Sequence, residues 1–146
     1  MTTCAYDGKT IAADRFWGTC YGDKLVRVGN LAIGFCGSAK MFNRVVEYFT
    51  SGGDPPALGD DNEALVVDLV TGTARLYDGD MDWIDVDAPV AIGSGRAYAT
   101  GAMSMGASAC GAVMLAGTLD AATKTDQGFT SFDVGEPIGD ASSSEG

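Results

Sequence analysis

Residues 2–36 constrain the chain most, because they read as two β-hairpins in immediate succession. Residues 2–6 form a short apolar strand, Asp7-Gly8 is a tight turn of the kind that joins antiparallel strands, and residues 10–14 (TIAAD) return, ending on Asp14. Residues 18–23 are rich in turn formers. In residues 24–28 (KLVRV), Lys24, Val26 and Val28 share one face and Leu25 and Arg27 the other, and Gly29-Asn30 turns the chain into residues 31–36 (LAIGFC). A chain that opens this way is committed to antiparallel sheet, and its sheet faces need cover.

The cover comes from helices. Gly37-Ser38 breaks the strand, and Ser38 is placed to cap a helix over residues 39–49, where Phe42, Val45, Val46 and Phe49 recur at i, i+3, i+4 and i+7. Residues 51–61 (SGGDPPALGDD) read as a loop. Residues 64–70 and 73–77 are strands joined at Thr71-Gly72, and residues 78–87 (DGDMDWIDVD) read as acidic and irregular. Residues 90–92 form a short strand running into Gly93-Ser94-Gly95. Residues 96–125 are helical in tendency, crowded with Ala, Gly and Ser, and broken near residues 106–108. Small side chains there let a helix approach a sheet closely, although each glycine costs about 1 kcal/mol relative to alanine. Residues 129–134 are a last alternating strand. The order is an α+β pattern, with residues 1–135 as one domain and residues 136–146 (EPIGDASSSEG) as a disordered polar tail.

Charge and cysteine usage narrow the function. Nine Lys and Arg oppose 20 Asp and Glu, a formal charge of −11, which argues against nucleic acid and anionic membrane partners because phosphate binding needs a basic stripe. No stretch approaches the roughly 20 apolar residues of a membrane span, and the N-terminus lacks the basic and apolar regions of a signal peptide. Cys4, Cys20, Cys36 and Cys110 form no CxxC pair and no zinc site, so no cofactor is expected, and reduced thiols point to a cytoplasmic location.

The chain contains no histidine, so Ser-His and Cys-His catalysis is excluded. Thr2 offers another route. Removal of Met1 would give one residue both a hydroxyl nucleophile and a free α-amine, whose reference pKa near 8 leaves a useful fraction able to take the hydroxyl proton. The small Thr2 side chain is permissive for methionine aminopeptidase. On residue chemistry alone each accompanying group has a structural alternative. Taken alone, Asp14 and Lys24 read more readily as an ordinary surface ion pair than as catalytic groups, Gly37 can serve only the strand-to-helix turn, and Ser94 can cap the next helix.

Taken in order, Thr2-Thr3, Asp14, Lys24, Gly37 and Gly93-Ser94-Gly95 resemble the proteasome β-subunit family, and most of all its bacterial HslV-type peptidases. The stretches that carry the resemblance are TTCAYDGKTIAADR, KLVRVGNLAIGFCGSAKMF and VAIGSGRAYATGA. The resemblance implies a four-layer αββα sandwich of the N-terminal-nucleophile hydrolase type. It implies Thr2 as nucleophile, Lys24 as the lysine beside it, Asp14 as the carboxylate that holds that lysine, and Gly37 as the oxyanion-hole glycine. Ser94 is the serine on the threonine amine, and Asp126 matches a further aspartate near the nucleophile. Thr19 falls in the loop that pairs with extended substrate, while Phe35 and Ala39 match positions lining the pocket for the residue before the cut and suggest small or medium apolar side chains.

The chain departs from the family in its compressed loop between Asp14 and Lys24. Phe129 replaces a serine that usually follows the further aspartate, and only one helix follows the fourth strand. The implied function is a threonine-type endopeptidase in a homo-oligomeric ring, acting on unfolded polypeptide supplied by an ATP-dependent unfoldase. An inactive scaffold of the same fold and a small-molecule amidase are the alternatives.

Overall fold

The computed structural model describes residues 2–135. The opening hairpins form as expected. β1 (Cys4–Tyr6) pairs antiparallel with β2 (Thr10–Asp14), and β3 (Leu25–Val28) with β4 (Leu31–Cys36). They do not share a sheet. The first sheet runs β8–β1–β2–β9 and the second β3–β4–β5–β6–β7. The remaining strands are β5 (Gly59–Asp68), β6 (Ala74–Gly79), β7 (Asp82–Val86), β8 (Val90–Ile92) and β9 (Phe129–Asp133).

Strand alternation sets the layers. Cys4, Tyr6, Ile11 and Ala13 of the first sheet meet Leu25, Ala32, Leu65 and Val67 of the second in a core between the sheets. The opposite face of β1 and β2 carries Ala5 and Ala12, which receive α2 (Arg96–Ser104) and α3 (Ala109–Leu119) through Ala99, Met103, Ala109, Ala112 and Val113. The alanines on both sides bring the helices close to the strands. The outer face of the second sheet offers Ile33, Phe35, Ala64, Val66 and Tyr77 to Phe42 and Val45 of α1 (Ala39–Ser51). The described residues form a four-layer αββα sandwich with a single helix among them over the second sheet. Among the described residues no helix is long and apolar enough to cross a membrane.

Ser38 caps α1 by accepting the Met41 N–H, and Ser108 caps α3 by accepting the Gly111 N–H. Two segments differ from expectation. The acidic stretch 78–87 is regular: β6 and β7 form a further hairpin, held by Met81, whose side chain is buried against the α1 layer even though its backbone adopts φ +66°. β5 starts at Gly59, earlier than its apolar run, through an irregular register between Gly59 and Ala64. The tail expected at 136–146 lies outside the described residues.

Candidate active site

β1 carries Thr2 and Thr3 to the mouth of the inter-sheet core, and β2 returns beside it with Asp14 at its end. The Asp14 N–H donates to the Thr3 carbonyl at 3.2 Å, and Asp14 Oδ1 accepts the Thr3 N–H at 3.0 Å. Asp14 Oδ2 accepts from the Phe16 N–H at 3.3 Å and from Lys24 Nζ at 3.4 Å. Both charged side chains are 0% exposed, so this is no surface pair. Such a pair taken out of water survives only when its remaining polar atoms are satisfied, and here the backbone N–H groups of Thr3 and Phe16 satisfy Asp14. Lys24 Nζ also donates to Thr2 Oγ1 at 2.7 Å. Burial pulls the Lys24 ammonium below its ordinary pKa, and Asp14 pulls it back up. The Trp17 ring centroid lies 5.2 Å from Lys24 Nζ, a cation–π contact that adds to the shielding of this charge.

A second network holds the other end of Thr2. Its backbone N–H donates to Ser94 Oγ at 3.2 Å, and Ser94 Oγ donates to Asp120 Oδ2 at 2.6 Å. Because Met1 precedes it, this nitrogen is a peptide nitrogen here. Asp120 also accepts from Thr123 Oγ1 at 2.7 Å and from the Ala122 N–H at 3.3 Å, and Thr123 Oγ1 lies 2.7 Å from Thr3 Oγ1. Burial pushes the Asp120 carboxyl up, but these donors outweigh it and hold the group below the usual carboxylate range. The turn before α2 fits tightly around the threonines. The Gly95 N–H donates to the Thr2 carbonyl at 3.3 Å, and a Cβ on Gly93, which sits at φ +98°, would overlap that carbonyl.

The structure thus brings Thr2, Asp14, Lys24 and Ser94 together. Gly37 directly follows β4, with Asn62 and Phe35 against it. Asp126 is exposed and accepts from the Tyr21 hydroxyl at 3.0 Å, tying the loop after β2 to the segment before β9. The carboxylate on Ser94 is Asp120, which sequence reasoning missed. Its signal was local: an acidic residue at the C-cap of α3 with a threonine at i+3. Thr19 is exposed on the loop after β2, and Ala39 is exposed at the first turn of α1. Phe35 is 0% exposed and stacked on Phe42 with centroids 5.4 Å apart, beneath α1. Burial raises the Cys4 and Cys36 thiols, which therefore stay protonated.

No protein-family model and no curated protein matches the chain. Solved structures do. Thiobacillus denitrificans BPH superposes with a TM-score of 0.70 at 22% identity, covering 91% of this chain and 97% of that one. The same protein in complex with epoxomicin gives 0.69 at 21% identity, covering 94% and 100%. Eukaryotic HslV from Trypanosoma brucei gives 0.60 at 21% identity, covering 90% and 97%. The chain has the proteasome β-type, HslV-like fold.

Proposed function

We propose that this HslV-like chain is a threonine-type endopeptidase whose nucleophile is Thr2 once Met1 has been removed. The observation that carries the reading is the 2.7 Å hydrogen bond from Lys24 Nζ to Thr2 Oγ1, made by a lysine held in a fully buried pair with Asp14. A buried ammonium aimed at a hydroxyl stabilises the alkoxide that develops there and disfavours a second positive charge on the neighbouring amine, which stays a base. The likeness of the fold to a protein solved with epoxomicin supports the same reading.

In this mechanism the Thr2 α-amine accepts the Oγ proton as Oγ attacks the scissile carbonyl. The Gly37 N–H faces the developing oxyanion. The amine then gives its proton to the leaving amine, and an ester on Thr2 remains. Water, deprotonated by the same amine, releases the acid product and restores the hydroxyl. Ser94 and Asp120 orient the amine. Residues 1–135 act as one domain, and copies assemble into a ring that limits substrate to unfolded polypeptide.

Intact mass spectrometry with an irreversible threonine-directed electrophile tests the nucleophile. The expected result is a chain lacking Met1 that gains one adduct, with no adduct on Thr2→Ala protein. A retained Met1, or a processed chain that stays unlabelled, would end the peptidase reading and leave a structural relative.

A further inference from the structure

Asn62 lies on the irregular entry to β5, outside the apolar run that marks the strand. Its side chain is committed at both ends. Oδ1 accepts the Ser38 N–H at 3.0 Å, and Nδ2 donates to the Leu58 carbonyl at 2.7 Å. The same Oδ1 is seated against Gly37, where a Cβ would collide with it, and Gly37 holds φ +143°, a conformation that side-chain-bearing residues rarely adopt. The turn between β4 and α1 is therefore clamped from the β5 side. The Ser38 N–H is thus committed to Asn62, and the Gly37 N–H is the donor of this turn assigned above to the substrate.

We propose that Asn62 is a positioning residue for the oxyanion glycine: by holding the Ser38 N–H and abutting Gly37 it fixes the Gly37 backbone, and with it the preceding Cys36–Gly37 peptide whose N–H meets the charge that develops on an attacked carbonyl. The proposal rests on the roles given above to Thr2 and Gly37. It follows from this chain's own geometry, because direct passage from α1 through a short loop into β5 is what lays Asn62 over the turn. Oxyanion donors act only when they are already aimed at the atom where charge appears, so a loosened peptide loses rate without losing the fold.

Two probes of Thr2 separate this role from a general one. A peptide β-lactone acylates the hydroxyl through a tetrahedral alkoxide and needs the oxyanion hole. A peptide vinyl sulfone alkylates the same hydroxyl by conjugate addition and forms no alkoxide at the attacked carbon. In Asn62→Ala protein, lactone acylation should slow by roughly tenfold or more while sulfone alkylation stays within about twofold of wild type. Asn62→Leu, which is close in size but can accept no hydrogen bond from the Ser38 N–H, should show the same selective loss and carries the test if the alanine variant does not fold. Equal slowing with both probes, or no slowing with either, would overturn the positioning role. Wild-type protein unreactive to both probes would instead refute the nucleophile itself, a failure readable before any Asn62 variant is made.

Discussion

Lys24 carries a charge that the fold has taken wholly out of water, and its partners are a carboxylate, a hydroxyl and an indole face. Replacing it by methionine strands Asp14 in the interior, a change that typically costs 3–5 kcal/mol. Lys24→Met should also lower kcat/KM by roughly a hundredfold or more, since the alkoxide loses its counter-charge. The lowered Lys24 pKa gives activity and stability opposite pH trends. Between the depressed folded value and the ordinary value near 10.5, the unfolded chain binds the proton and the folded chain does not, so this group adds stability as pH rises. Activity needs the charged form and should fall over the same range. An alkaline limb of activity lying below the ordinary lysine range, with no parallel fall in Tm across it, is the expected result. Coincident loss of both would mean that unfolding, not Lys24, sets the limb. Asp120 belongs to the same scale, since one residue at a helix end supplies an anion to Ser94 that the sequence did not disclose.

Asp7 shows how an element is docked. Its Oδ1 accepts the Lys9 and Thr10 N–H groups at 2.8 Å and closes the first hairpin, while Oδ2 accepts the Ala109 N–H at 2.8 Å at the start of α3. One carboxylate thus joins the β1–β2 turn to the N-terminus of the helix packed on that sheet, where a negative charge is favoured. Burial pushes its pKa up, but the backbone donors outweigh it and the carboxyl titrates below its ordinary value. A depressed folded pKa gives stability that is full above the unfolded value, about 3.9, and is lost as pH falls through the folded value. Asp7→Asn, which turns an amide N–H toward one of these donors, should cost about 1 kcal/mol at neutral pH, since solvent screens the half-buried carboxylate. In thermal melts the gap in Tm between wild type and variant should close as the solution is acidified below about pH 4. A gap that is constant with pH would show that the carboxylate's charge contributes nothing.

At the scale of the whole molecule, the outer helical layer leaves Tyr98, Met105, Met114, Leu115 and Leu119 exposed, with Met105 89% accessible. A protomer of charge −11 repels its copies, so the proposed ring has to be held by apolar contacts. Sedimentation should give a species several times the protomer mass, and it should persist or strengthen as salt is raised because screening removes only the repulsion. A monomer at all salt concentrations would leave the proposed ring without support.

The sequence by itself determined the hairpins, the capped amphipathic α1 and the break before α3. These are local: turn chemistry, alternation and helical spacing act over a few residues. Thr2, Asp14, Lys24 and Ser94 were legible as a group only through the family their motifs resemble. It did not disclose the β6–β7 hairpin, because the acidic residues of 78–87 sit on an exposed strand and hide its alternation. Only the tertiary structure decided that the opening hairpins part into different sheets, since that depends on which faces bury against each other across the core. It also decided that Asp14 and Lys24 are buried and not at the surface, that Asp120 meets Ser94, and that Asn62 lies over Gly37. Each of these is a contact between segments brought together only by the four packed layers, and neither spacing nor residue type carries such a contact.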